Sequence, residues 1–521
     1  MSRMLRSGAI ISAMTMISRV LGLARDAVFF HLFPAEGALE AFLVAFRVPN
    51  LLRRMVAEGA FSLAFIPVLS EYKESRSEED LHKLLNSVAG TLSLVLLIIT
   101  VLGMIAAPLL AMLFAPGFSG KDSTQAELTS SLLLITFPYI FLISLSAFVS
   151  SILNTFQRFA VPAFTPVLLN VVLISSAIWW APYFLQPVEA LAWGVVIGGA
   201  AQLLFQIPTL IKLGLLPRLD FKRGHEGVQR IMKLMVPALF GSSVAQINIL
   251  INTAIASMLA AGSISWLYAS DRFVELPLAI IGVAIGIVIL PKLSGDHVNK
   301  KLSAFSETLD WGVRLGLLVA LPAMIGLMLL AKPIIATVLG NGVNDWKLVE
   351  MASMSLVTYS FGLPAFILVK VLAPGFYSRQ DTKTPVKIGI ISMLSNIILS
   401  ALIVYPWYKL GYLGPHAGLA LATALAGYIN AGMLYYQLKK QNIYQHQSST
   451  NSALVKDLLR IVAAVVAMLI VILLLNPSDL WWQNAALALK ITMLLVLVVL
   501  AVITYFAALF ALGVRKSSFI S

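Results

Sequence analysis

The chain has 521 residues, 59% of them hydrophobic and 12% charged, with no cysteine, a net charge of +13 and a mean hydropathy of +0.90. Soluble domains carry ~25% charged residues, so a water-soluble fold is excluded and lipid must solvate most of the surface. The missing cysteines exclude disulfides, thiol catalysis and thiolate metal sites.

In lipid only helices and closed barrels satisfy the backbone. The apolar runs here last ~20 residues or more without period-two alternation, which selects helices. The expected fold is an all-α polytopic membrane protein of about 14 transmembrane helices, at about 8–32, 38–70, 86–114, 127–154, 160–184, 188–211, 229–259, 264–293, 309–338, 350–374, 385–405, 415–438, 453–475 and 485–513. The first run is interrupted by Arg19 and Arg25 and has no small-residue cleavage site after it, so it is expected to be a mature span rather than a cleaved signal. Pro and Gly clusters such as APGF (115–118), WAPYF (180–184) and NPSD (476–479) punctuate the rest.

Loop charges set the expected orientation. One side holds most of the basic residues, among them Lys73, Arg76, Arg158, Lys212, Arg218, Lys300, Lys301, Lys439 and Lys440; the other holds only Lys121, Lys347 and Lys409. By the positive-inside rule both termini are cytoplasmic, which agrees with an even number of spans. Short basic loops scattered in this way do not make the continuous basic face that nucleic acid requires. The six histidines lie mostly at span ends and in loops with no ligand spacing, so no metal site is expected. With no P-loop, ATP is not expected to drive the protein; no cofactor is expected, and coupling to membrane potential or a monovalent cation remains open.

The chain aligns with itself at an offset of 224 residues: Leu43 meets Leu267, Ala60 meets Ala284, and IPVLS (66–70) meets LPKLS (290–294). Further on, an offset of 219 sets Leu153 on Leu372 and Pro166 on Pro385. The offset spans an even number of helices, so the halves share a topology about an axis along the membrane normal. This gives two pseudo-symmetric six-helix lobes, 1–225 and 226–445, with two additional C-terminal helices in 446–521. Paired lobes suit rocking about a central cavity, that is, alternating access.

The informative residues are basic and intramembrane. Arg314, Lys332, Lys370 and Lys490 lie near span ends and are expected to snorkel to an interface. Arg19, Arg25, Arg47, Arg53, Arg54 and Arg272 lie deeper, five of them in the first two spans. Arg19 sits about 16 Å into its span at ~1.5 Å per residue. An arginine at mid-bilayer costs about 2.5–3.5 kcal/mol on insertion scales, so a group of them should face water, acids or a ligand. Arg47, Arg54 and Glu58 share a helical stripe, Arg53 lies about 100° round, Ser18 and Arg25 share a face, and Asp271 and Glu275 flank Arg272. Asp26, Glu58, Asp271 and Glu275 can neutralise four of the six arginines; the surplus favours an anionic ligand, and guanidinium suits phosphate oxygens.

The stretches SAMTMISRVLGLARD (12–26), AFLVAFRVPNLLRRMVAEGAFSLAFIPVLSEYK (41–73), ASDRFVELP (269–277) and VKVLAPGFYSRQDTKTPVKI (369–388) resemble the MurJ/MviN family over essentially the whole chain. That family is the lipid II flippase branch of the multidrug/oligosaccharidyl-lipid/polysaccharide exporter superfamily. The resemblance implies a non-enzymatic transporter of the bacterial inner membrane. It would carry lipid II, the undecaprenyl-pyrophosphate-linked disaccharide-pentapeptide, from the cytoplasmic to the periplasmic leaflet for cell-wall synthesis. It also implies substrate binding by Arg19, Arg25, Arg53 and Arg272, with Arg54, Glu58, Asp271 and Ser18 nearby and Glu40 at a position where the family usually has Asp. The last two spans would hold the lipid tail, and membrane lipids and other wall-synthesis proteins are the implied partners. The alternatives are an exporter of another polyprenyl-linked oligosaccharide and a membrane glycosyltransferase using lipid II. The second needs a catalytic carboxylate on an outer loop, where the few acids have no partner at a telling spacing.

Overall fold

The computed structural model describes residues 3–121, 123–221, 224–279, 283–299, 301–340, 346–444 and 448–514. Among these residues there is no strand, and almost all lie in helices. The chain separates into two compact units, Met1–Ser265 and Trp266–Ser521.

The first unit runs α1 (Arg3–Leu32), α2 (Ala38–Leu52), a π-helical stretch Arg53–Phe61, α3 (Ser62–Ser75), α4 (Glu78–Ile105), α5 (Ala107–Phe114), α6 (Phe118–Lys121), α7 (Ser123–Thr136), α8 (Tyr139–Thr155), α9 (Ala160–Ser175), α10 (Val188–Lys212) and α11 (Glu226–Ser257). Local chemistry explains the breaks. Gly37 adopts φ +71° in the turn into α2, a backbone angle that a side chain resists. Ser77 caps α4, its Oγ accepting the Asp80 N–H at 3.1 Å, and three acids fill the first turn, where the helix dipole favours them.

The second unit takes up α12 (Ser263–Pro277), whose first residues precede the boundary, and continues with α13 (Val283–Val298), α14 (Leu302–Leu329), α15 (Ala331–Val338), α16 (Trp346–Phe361), α17 (Leu363–Tyr377), α18 (Lys383–Lys409), α19 (His416–Lys440), α20 (Ser448–Leu475), α21 (Asp479–Asn484) and α22 (Leu487–Ala511).

The internal repeat is visible in the helices themselves. Each end of α4 and of α5 recurs 224 residues later in α14 and α15, and both ends of α10 recur 228 later in α19. Residues 278–279 are π-helical, 224 positions after 54–55. The cores repeat as well: Phe65, Leu69, Leu81 and Leu85 are buried in the first unit, and Ile289, Leu293, Phe305 and Leu309, each 224 residues on, in the second. The offset of 219 read from Leu153 and Pro166 is not the one the helices keep. Pro162, the third residue of α9, corresponds to Pro385, the third of α18, at 223. Apolar sequence aligns with itself by chance, and helix boundaries correct it. Packing and repeat divide the chain differently at α11. It begins the second half by sequence, yet packs on the π stretch, α3, α4 and α5 of the first unit.

Among the described residues ten helical segments are long and apolar enough to cross a membrane. The other expected spans, 8–32, 38–70, 229–259 and 264–293, each include side chains outside the described residues. These spans hold all six deep arginines or, in α11, a run of amides including Gln246, Asn248 and Asn252.

The additional helices α20 and α22 pack on α14, and α22 also on α15. Arg314 of α14 does not snorkel: it pairs with Asp457 of α20 at 3.2 Å, both side chains being mostly buried. The Tyr505 hydroxyl of α22 donates to the Leu318 carbonyl at 2.5 Å. Lys332 pairs with Asp479 at an exposed span end, as a snorkelling side chain can, and Lys490 is buried. Within hydrocarbon a carboxylate close at hand satisfies a cation better than a long reach to the interface.

Candidate functional site

On α1, Arg25 is buried and hydrogen-bonded internally. Its Nε and Nη2 donate to Asp26 Oδ1 at 2.9 and 2.6 Å, its Nη1 donates to Asn170 Oδ1 at 3.1 Å, and its guanidinium lies 5.7 Å from the Phe29 ring centroid. The Asn170 amide in turn donates to the Ser18 carbonyl at 3.1 Å. Ser18, Arg25 and Asp26 therefore tie α1 to α9. Arg19 is half-buried on the same helix. Among the described residues no hydrogen bond or ion pair reaches its side chain, nor that of Arg54.

At the other end of α2, Glu40 is buried in the first turn and accepts the Ile264 N–H at 3.0 Å, with backbone N–H groups of Gly37 and Gly262 also turned toward it. Arg47 donates to Thr253 of α11. Arg53 opens the π stretch, where the extra residue per turn widens the helix and re-aims side chains. Its Nε donates to Asn50 Oδ1 at 2.9 Å. The Glu58 side chain lies outside the described residues.

Arg53 leads into a cleft of about 490 Å³ inside the first unit, walled by α3, α8, α9 and α10. Neither Arg19 nor Arg25 lines it. Its polar lining is almost entirely uncharged: Ser62, Ser150, Asn154, Thr165 and Gln202 are among the residues facing it. A hydrogen-bonded network fixes the wall behind. Gln206 Nε2 donates to Ser146 Oγ at 2.6 Å, Ser150 Oγ donates to Gln206 Oε1 at 2.8 Å, and Gln202 Nε2 donates to the Thr165 carbonyl at 3.1 Å. Sequence reasoning missed this pair of glutamines; their signal was the four-residue spacing of two amides in the middle of an apolar span.

In the second unit, Arg272 donates from Nη1 to Glu275 Oε2 at 3.1 Å and from Nη2 to the Tyr268 hydroxyl at 2.9 Å, with its guanidinium 4.7 Å from the Tyr268 ring centroid. Asp271, one position earlier, is exposed. Asn396, an amide in the middle of its span, bridges to Thr423 at 3.1 Å. Among the described residues no three His, Cys, Asp or Glu side chains converge as a metal group would require.

The predicted residues thus divide by role. Arg25, Asp26 and Ser18 brace helices, Glu40 closes a turn, and Arg53 faces a polar cleft. A guanidinium at such a mouth offers planar donors to phosphate oxygens, and the amides and hydroxyls inside offer both donors and acceptors.

The family described as Lipid II flippase MurJ matches residues 29–492. A Vibrio cholerae protein named probable lipid II flippase MurJ is 45% identical over 519 residues, covering 98% of this chain and 97% of that one. The Lipid II flippase MurJ of Burkholderia cenocepacia is 41% identical over 443 residues, 84% of each chain. A solved structure of lipid II flippase MurJ in an inward closed conformation superposes with a TM-score of 0.79 at 29% identity, covering 96% of this chain and all of that one. An inward-facing multidrug resistance transporter of the MATE family shares the fold alone, at 14% identity, 84% and 98% coverage and a TM-score of 0.68. With the family matched over most of its length and relatives this similar end to end, the chain belongs to the lipid II flippase MurJ family.

Proposed function

We propose that this chain flips lipid II from the cytoplasmic to the periplasmic leaflet of the bacterial inner membrane, as a transporter and not an enzyme, and so supplies peptidoglycan synthesis. The observation that carries the mechanism is the concentration of deep arginines on α1 and on α2 with its π stretch, where Arg53 stands at the mouth of a polar cleft. In this reading Arg19, Arg53, Arg54 and Arg272 attract the diphosphate, with Glu58 and Asp271 tuning the local charge. Arg25 and Ser18 hold α1 in place, and Glu40 holds the entry to α2. The prenyl tail remains in lipid beside α20 and α22.

The repeated halves support alternating access by rocking of two lobes, 1–225 and 226–445, with 446–521 appended. Loop charge supports cytoplasmic termini. With no P-loop in the sequence, the reading includes coupling to membrane potential or a monovalent cation. The test is complementation: cells depleted of their own flippase should grow when given the parent chain and lyse when given Arg53→Ala at equal membrane abundance. Equal rescue by both removes Arg53 from the site.

A further inference from the structure

Gln202, which lines the cleft behind Arg53, carries a buried acceptor with no partner among the described residues. Gln202 is 98% buried, and its Nε2 is committed to the Thr165 carbonyl. Its Oε1 is buried with no protein partner among the described residues. Asn154, half-buried on the opposing α8, also lines the cleft, and its side-chain amide makes no hydrogen bond among the described residues. A buried carbonyl oxygen without a donor is costly. The group that satisfies it must carry O–H or N–H. A phosphate oxygen is an acceptor and is repelled. A prenyl chain supplies no donor. A cation is disfavoured by Arg53, the one formal charge among the described residues lining the cleft. A volume of about 490 Å³ falls in the ~300–1,000 Å³ range of small-molecule sites.

We propose that this cleft is a subsite for the uncharged sugar part of the headgroup, taking a hydroxyl or acetamide N–H on Gln202 Oε1 and pairing a second polar group with Asn154 while Arg53 engages the adjoining diphosphate. The subsite rests on the lipid II reading above and deepens it. It makes the first unit responsible for distinguishing a glycosylated diphosphate lipid from the bare diphosphate carrier. A site built to hydrogen-bond a hydroxyl discriminates strongly against the ligand that lacks it, because its own polar groups are then left unpaired.

The experiment measures binding of lipid II and of undecaprenyl diphosphate, which has no sugar, to purified parent, Asn154→Leu and Gln202→Met proteins, with a thermal melt of each. The parent should prefer lipid II. In both variants affinity for lipid II should fall about 10- to 100-fold, with undecaprenyl diphosphate bound within about twofold of the parent. If Gln202→Met melts early because the Thr165 bond is lost, Asn154→Leu alone decides. Folded variants that bind both lipids like the parent, or lose both equally, overturn the subsite. A parent that binds neither lipid overturns the transport reading and the subsite with it, and that failure is seen before any variant is measured.

Discussion

Replacing Asn170 by alanine tests whether Arg25 is a brace between helices. The side chain accepts from Arg25 Nη1 and donates to the Ser18 carbonyl, both at 3.1 Å, so two contacts between α1 and α9 vanish together. By water-based series the charged bond contributes about 1.5–3 kcal/mol and the neutral one about 0.5–1.5 kcal/mol. Measured bonds between membrane helices average about 0.6 kcal/mol and reach about 1.7. Arg25 keeps both bonds to Asp26, so the net loss should be about 1–3 kcal/mol. At about 2–4 °C per kcal/mol for a domain of this unit's size, the melting temperature in detergent should fall by on the order of 5 °C. Arg25→Met should fall at least as far, and the double variant should show a coupling above about 0.5 kcal/mol. A melt unchanged by Asn170→Ala, or strictly additive single variants, would refute the brace and return Arg25 to the ligand.

Arg53→Ala should abolish complementation while shifting the melt by no more than about 1–2 °C, since its Asn50 bond is only partly buried; a large loss of stability would make it a structural residue. Asp457→Ala leaves Arg314 mostly buried without its partner and should destabilise by about 1–3 kcal/mol, less than the ~3–5 of a fully buried pair. The swap Arg314→Asp with Asp457→Arg should recover part of the melt, and no recovery would deny that this pair docks α20. Asp381, in the turn before α18, accepts the Thr384 N–H at 3.0 Å and the Thr384 hydroxyl at 2.6 Å. Partial burial pushes its carboxyl up, but these bonds and the Lys383 N–H outweigh that and hold it below the ordinary 3.8. A depressed folded pKa stabilises above the unfolded value and loses that stabilisation as pH falls through the folded one. Asp381→Ala should therefore melt below the parent at pH 7, by about 1 kcal/mol of capping, with the gap closing in acid. A gap independent of pH would contradict the assignment.

Hydropathy made the helical class and ten of the spans legible, because lipid admits few alternatives to an apolar helix. The repeat was legible at Pro67 and Pro291 but misplaced around Leu153, where only helix ends reveal the register. Spacing grouped Ser18 with Arg25 on one face of α1. It was silent on Asn170, because a partner on another helix, 145 residues away, leaves no periodic trace. The same holds for Arg314 and Asp457, 143 residues apart. Nothing in the RRMVAEGAF stretch announces its π geometry, and the stretch packs against α11 and α8, which lie far from it in sequence.

The most direct measurement is leaflet exchange of labelled lipid II in vesicles containing the purified chain, with and without a membrane potential. If lipid II crosses the membrane by way of Arg53, exchange should be well above that of empty vesicles for the parent and at background for Arg53→Ala. Parent vesicles no faster than empty ones under either condition, or Arg53→Ala vesicles as fast as the parent, would contradict it.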